Sequence, residues 1–167
     1  VFQKRAPEKR PDFVDVAELK YASGTSAKEA VIGSTAGLAW AVNLGCVDFN
    51  PHPVRSADLA HPDELRVDLD PTPGSEWDDV RRTAMVVRDV LGDYGLRGYP
   101  KTSGATGIHV HLPVLENTFT YEDVRVFAQA IASIVVQRIP EYATIERVVR
   151  KRKPHEVYVD FLQNIRG

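Results

Sequence analysis

Asp68 and Asp70 are the residues whose type and spacing most readily suggest chemistry. Leu65-Arg66-Val67-Asp68-Leu69-Asp70-Pro71 alternates strictly, so Leu65, Val67 and Leu69 point to one side of a strand and Arg66, Asp68 and Asp70 to the other. Backbone rise puts the two carboxylates roughly 6.5–7 Å apart on one face. Close anions disfavour each other's ionisation until a cation neutralises them. Asp-x-Asp at a strand end, stopped by Pro71, is therefore a candidate clamp for a divalent metal. Taken alone, the pair reads as two solvent-facing aspartates leading into a turn, since charged residues are mostly exposed.

Further candidates lie downstream. Thr102-Ser103-Gly104-Ala105-Thr106-Gly107 is a polar loop bracketed by glycines, which let backbone N–H groups approach an anion and form a concave nest. Lys101, Ser103 and Thr106 add side-chain donors, and a triphosphate is the guest such a nest would suit. A Gly-x-x-Gly loop is also an ordinary hairpin connection. Ile108-His109-Val110-His111-Leu112-Pro113-Val114 alternates as a strand, and His109, directly after the loop, is placed to bond a phosphate oxygen. A satisfied, half-buried histidine is the plainer reading of it. His52, in the rigid turn Asn50-Pro51-His52-Pro53, could reach the same site or serve only the turn. Basic residues cluster at 4–10, beginning Lys4-Arg5, and at 147–153, where they could engage a phosphate backbone. Phe2 beside the first cluster could stack on a base or pack in the core.

The elements that must position these groups follow from pattern. Residues 1–12 are charged and Pro-punctuated. Phe13–Val16, Lys20–Ala22 and Lys28–Ile32 read as short strands, with a turn at Ser23-Gly24-Thr25. Ser34-Thr35 start a helix through Leu44, closed by Gly45. Val47-Asp48-Phe49 reads as a strand fragment, and residues 54–63 as loop. After the strand at 64–70, Ser75 is expected to cap a helix with Asp78 in the capping-box position, and Val80, Ala84, Val87 and Leu91 form its stripe. Strands at 96–101 and 107–114, a helix capped by Thr120 with Asp123, a strand at 144–149, a basic turn and a strand at 156–162 complete the order.

From residue 64 the sequence strand, helix, strand, strand, helix, strand predicts an α+β fold with split βαβ topology, a ferredoxin- or RRM-like palm preceded by an extension of short strands and one helix. Residues 1–63 and 64–167 are read as two parts of one compact domain. That topology places the first and third of the four strands together and the fourth beside the first. Asp68, Asp70 and Asp160 then converge on one face with His109 nearby. Three carboxylates suit two Mg2+ or Mn2+ ions, which prefer oxygen ligands and together stabilise in-line phosphoryl displacement.

Composition sets the remaining bounds. A chain of 167 residues with 43% hydrophobic and 26% charged residues is an ordinary globular domain. A net charge of -2 makes no global case for nucleic acid, so any basic surface is local. Cys46 alone excludes an internal disulfide and a cysteine-rich zinc site, and suits a reducing cytoplasm. No stretch approaches the 18 or so apolar residues of a membrane span. A chain that opens on Val1 rather than Met reads as a fragment or a processed product.

Val67-Asp68-Leu69-Asp70-Pro71, Lys101 through Val110, and Val157-Tyr158-Val159-Asp160-Phe161-Leu162-Gln163-Asn164 resemble the polymerase domain of bacterial ligase D and its stand-alone actinobacterial relatives, within the archaeo-eukaryotic primase superfamily. Asn43 through Pro53 looks like the stand-alone mycobacterial-type branch. The resemblance covers essentially the whole chain. It implies template-dependent nucleotidyl transfer to a primer 3′-hydroxyl in DNA break or short-gap repair, often with a preference for ribonucleotides and manganese. It also implies gapped or broken DNA and nucleoside triphosphates as partners, a DNA ligase or end-binding protein nearby, and a nucleoid-associated cytoplasmic location without a membrane. The family's metal aspartates fall on Asp68, Asp70 and Asp160, its nucleotide-binding Ser and His on Ser103 and His109, and its template-stacking aromatic on Phe2. Thr102, Gly104 and Gly107 join the nucleotide-binding loop.

There are departures. Ligase D proteins usually carry Lys where this chain has Thr106. Their histidine before the first motif aligns with Asn50, two residues before His52. The family extends past the third motif into a Lys/Arg segment and has basic residues that would precede Val1, so the chain reads as a core cut at both ends. Two rivals remain: a metal-dependent nuclease on the same carboxylates, which needs no triphosphate nest, and a non-catalytic nucleic-acid-binding sheet, which would expose aromatics where Asp and His stand here.

Overall fold

The computed structural model describes residues 5–21 and 23–166, which divide into two compact units, the first up to Leu59 together with Arg166 and the second Ala60–Ile165. In the first, β1 (Asp15–Lys20) and β2 (Ser26–Val31) form an antiparallel hairpin with Ala17 opposite Glu29. Gly24, at φ +81°, supplies the left-handed turn residue. Helix α1 (Thr35–Asn43) starts where the Ser34 hydroxyl accepts from the Gly37 N–H, and ends at Gly45 with φ +83°. Val47-Asp48-Phe49 is not a strand. Val47 is almost wholly exposed, and the Cys46 thiol donates to the Asp48 carbonyl, so the segment bends locally instead of pairing.

The second unit is built on β3 (Glu64–Pro71). It continues through α2 (Trp77–Asp93), β4 (Tyr99–Thr102), β5 (Ile108–Pro113), α3 (Tyr121–Arg138), β6 (Ala143–Thr144) and β7 (Val157–Asp160). The sheet order is β4-β5-β3-β7-β6, the split βαβ order with one extra edge strand, β6, parallel to β7. β3 is antiparallel to both neighbours. The core forms as the alternation predicts. Leu65, Val67 and Leu69 are buried with Val157 and Val159 beneath α2 (Val80, Val87, Leu91) and α3 (Val124, Ala128, Ile131, Val135).

The differences from expectation have local causes. α2 begins one residue late: the Ser75 hydroxyl is taken by the Glu156 carbonyl at 2.9 Å, and the Glu76 N–H donates to Asp79 Oδ2 instead. Residues 96–98 still belong to the turn after α2, where Leu96 N–H returns to the Leu91 carbonyl past Gly95 at φ +69°. The expected strand at 144–149 shortens to Ala143–Thr144, because the chain coils into a 3-10 turn at Val149–Lys151. β7 stops at Asp160, and a second 3-10 turn, Leu162–Asn164, follows. Leu162 therefore joins the core side instead of the far face. Among the described residues no helix is long and apolar enough to cross a membrane.

Candidate functional site

Register decides what the polar face of β3 carries. Asp68 is paired on one side with Asp160 of β7 and on the other with His109 of β5, while Asp70 is opposite Tyr158. One ligating oxygen from each of Asp68, Asp70 and Asp160 lies within 4.8 Å of the others. Asp68 is only 5% exposed. Burial first, then the charges of Asp70 and Asp160, push its carboxyl up to about 7. Asp70 is raised by desolvation and by Asp160. His109 Nε2 lies 3.3 Å from Asp68 Oδ1, yet that oxygen has no hydrogen-bond partner among the described residues. Burial, followed by the cations Arg66, His111 and Lys101, lowers the His109 pKa. The histidine therefore favours its neutral form, and Arg66 beside Asp68 and Arg152 beside Asp70 offset only part of the rise.

Asp160 is held differently. Its Oδ1 accepts from the Leu162 N–H at 2.7 Å and from the Tyr158 hydroxyl at 3.1 Å. The 3-10 turn that supplies Leu162 is anchored by Asn164, which is fully buried. Asn164 accepts from the Arg66 N–H and donates to the carbonyls of Arg66 and Phe161. Strand β3 and the turn after β7 are thus tied together directly behind the carboxylates.

The glycine loop is seated against the same strand end. A Cβ on Gly107 would fall 2.5 Å from the Leu69 carbonyl and 3.5 Å from Asp70 Oδ1, so only glycine allows this approach. Ser103 and Gly107 close the loop reciprocally: Ser103 N–H donates to the Gly107 carbonyl at 3.0 Å, and Gly107 N–H to Ser103 Oγ at 3.1 Å. Gly104 turns at φ +93°. Ser103 Oγ also accepts from Ala105 N–H, so its own O–H proton remains to be donated.

A family description, the LigD primase-polymerase domain, matches residues 1–167. The chain belongs to this family. It is 32% identical over 166 residues to the bifunctional non-homologous end joining protein LigD of Bacillus subtilis, a match covering 99% of this chain and 26% of that protein. It is 34% identical over 136 residues to the multifunctional LigD of Pseudomonas aeruginosa, covering 81% of this chain and 16% of that protein. The chain therefore spans about a quarter or less of these relatives. The polymerase domain of Mycobacterium tuberculosis Ligase D, solved in complex with DNA, superposes with a TM-score of 0.82 at 27% identity, over all of this chain and 60% of that one.

Against this LigD-type fold the remaining site residues separate. Asp68, Asp70, Asp160, His109 and the loop from Lys101 through Gly107 all lie in the second unit around the end of β3. Lys101, Thr102, Gly104 and Thr106 are exposed, and Lys101 Nζ donates to the Thr102 carbonyl at 3.2 Å. Asn50 and His52 belong to the first unit, where the His52 ring nitrogen lies 2.8 Å from Glu29 Oε2. Arg5 is exposed. Phe2 and Lys4 lie outside the described residues. Sequence reasoning passed over Glu64, which gathers His111 Nδ1 at 2.8 Å and Arg66 Nη2 at 3.0 Å, and it gave no role to Tyr158 or Asn164. The alternation of β3 and β5 already put Glu64, Arg66 and His111 on the site's face. Nothing in the sequence signalled the reach of Asn164 to a residue 98 positions away.

Proposed function

We propose that the chain is a template-dependent nucleotidyltransferase that adds nucleotides to a primer 3′-hydroxyl in DNA break or short-gap repair. The observation that carries the reading is the buried, unpartnered Asp68 oxygen inside a triad of carboxylates, with a glycine loop packed on the same strand end. A buried carboxylate oxygen without a hydrogen-bond partner is costly unless a cation pairs with it, and three carboxylate oxygens so close together fit Mg2+ or Mn2+. Asp68, Asp70 and Asp160 would hold two such ions. When bound, divalent ions neutralise charge on a triphosphate and lower the pKa of an attacking hydroxyl.

The chain's own residues have the complementary tasks. The Ser103 hydroxyl and the backbone amides of Gly104 and Thr106 present donors to an incoming triphosphate, with Lys101 and Thr106 at the rim. Neutral His109 offers a ring N–H to a phosphate oxygen. Asn50 and His52 are also assigned to the nucleotide, and Phe2, Lys4 and Arg5 to the template strand. The non-homologous end joining named for the LigD relatives is the pathway that this activity would serve, beside a ligase or end-binding partner.

Primer extension with Mn2+ and all four ribonucleotides on a gapped template tests the reading. The chain is expected to extend the primer, and Asp68→Ala with Asp70→Ala to abolish extension. Extension that survives the double substitution refutes the site. Shortening of the primer in place of extension assigns the carboxylates to a nuclease.

A further inference from the structure

Strand β4 lies at the edge of the sheet and carries side chains that the site leaves unused. Tyr99 is opposite His111 and Lys101 is opposite His109, and the same histidines are opposite Arg66 and Asp68 of β3. Residues paired across strands share a face, so Tyr99 and Lys101 stand on the carboxylate face while Val110 and Leu112 turn to the core. Tyr99 is 50% exposed, and the exposed Arg97 holds its guanidinium 5.4 Å from the ring centroid, a cation–π contact that keeps the two together. The strip therefore reads cation, aromatic, cation at every second residue. Among the described residues neither cation has a carboxylate partner: Arg97 has the Tyr99 ring, and Lys101 Nζ has the Thr102 carbonyl.

We infer that this strip is a stacking site for one unpaired base of a single-stranded nucleic acid, with Tyr99 under the base and Arg97 and Lys101 on the phosphates to either side. A half-exposed ring between two cations without carboxylate partners matches a single strand, in which every base has a π-face and every nucleotide a charge. A duplex matches poorly, because its bases are covered by their neighbours in the stack. An added protein strand is discouraged, because this edge carries Pro100 and Lys101, residues that blunt strand addition. Tyr99 stands one side-chain repeat, roughly 6.5–7 Å, along the sheet from the row that holds His109 and Asp68. A nucleic-acid strand seated there runs beside the carboxylate face toward the glycine loop. The site goes beyond the nucleotidyltransferase reading, which gives Arg97 and Tyr99 no task, and it needs neither metal nor triphosphate.

A merely electrostatic role for the strip predicts a different pattern. If Tyr99 served only to hold Arg97, its loss would weaken every polyanion alike, with or without bases. Stacking instead makes the loss depend on the presence of a base.

The experiment is fluorescence anisotropy of a short end-labelled oligothymidylate with the full chain, in chelator and without nucleoside triphosphate, beside an abasic oligomer of the same length. The wild type is expected to bind oligothymidylate more tightly than the abasic oligomer. Tyr99→Ala should weaken oligothymidylate about tenfold, the scale of one stacked base, and leave the abasic oligomer unchanged. Tyr99→Phe should keep wild-type affinity for both. Arg97→Ala should lower the slope of log affinity against log salt by about 0.7, the value for one phosphate of a single strand. Circular dichroism checks the fold of each variant, and the wild-type comparison of the two oligomers decides the matter if Tyr99→Ala unfolds. Equal wild-type affinity for both oligomers overturns the site, as does unchanged oligothymidylate binding in Tyr99→Ala or an equal loss for the abasic oligomer. A wild type that binds neither at low salt also overturns it, and leaves the primer-extension test of the carboxylates standing. Failure of primer extension with these affinities intact removes the polymerase reading and leaves the stacking site.

Discussion

Replacing Asp68 with asparagine removes a charge that the metal-free fold holds at a cost. The carboxyl rises from an ordinary 3.8 to about 7 in the folded chain, through burial first and then Asp70 and Asp160. Because the folded value lies above the unfolded one, the folded chain holds the proton more tightly. The stability that goes with the proton is fully present below about pH 4 and is lost as pH rises through about 7. A gap of roughly three pH units at 1.36 kcal/mol each sets a ceiling of about 4 kcal/mol. Solvent reaches Asp70 and screens part of the repulsion, which brings the expected penalty above pH 7 to about 2 kcal/mol. For a chain of this size that corresponds to a rise in Tm of about 4–8 °C for Asp68→Asn at pH 8 in chelator. Far-UV circular dichroism melts between pH 4 and pH 8.5 measure it. The gain should shrink steadily as pH falls from 7 to 4. Saturating Mn2+ should then stabilise the wild type and leave the variant unmoved, reversing their order. A variant that melts with or below the wild type at pH 8 in chelator would refute the argument, as would a gain that does not change with pH.

Gly107→Ala places a Cβ 2.5 Å from the Leu69 carbonyl, and forcing the strand end and loop apart should cost about 1–3 kcal/mol. Thermal melts should show the loss, and KM for nucleotide should rise with it. Asn164→Ala strands the Arg66 N–H and two carbonyls in a fully buried place. It is expected to destabilise by about 3 kcal/mol, read as a lower urea midpoint with the slope unchanged. Thr106→Lys adds a cation at the rim of the loop and should lower KM for the triphosphate by roughly fivefold at low salt, about 1 kcal/mol. The gain should fade as ionic strength in the extension assay is raised.

Alternation and helical stripes made the second unit legible. Leu65-Val67-Leu69 and Val157-Val159 could only face α2 and α3, and once they did, Asp68, Asp70 and Asp160 had to share the other face. The topology followed from the order of elements. The misplaced details come from side-chain partners that residue type does not reveal. Ser75 is a good cap by type, but Glu156 occupies its hydroxyl 81 positions on. The segment after Thr144 has strand-like residues, yet Arg152 draws its carbonyls into a turn. Residue types alone could not show that Asp68 Oδ1 would be buried without a hydrogen-bond partner, because that depends on the packing of three strands.

The pairing of Asp68 with both Asp160 and His109 has a consequence for how such a chain tolerates change in length. Side chains on a strand alternate with period two, so slipping β3 by one residue against its neighbours would send the even-numbered residues into the core and bring Leu65, Val67 and Leu69 onto the carboxylate face. A one-residue insertion or deletion inside Glu64–Pro71 would therefore erase the core and the acidic cluster at once. The same edit in residues 115–119, an exposed stretch between β5 and α3, would leave both intact. Chains built this way can change by substitution in the central strands but are expected to change in length only in the loops.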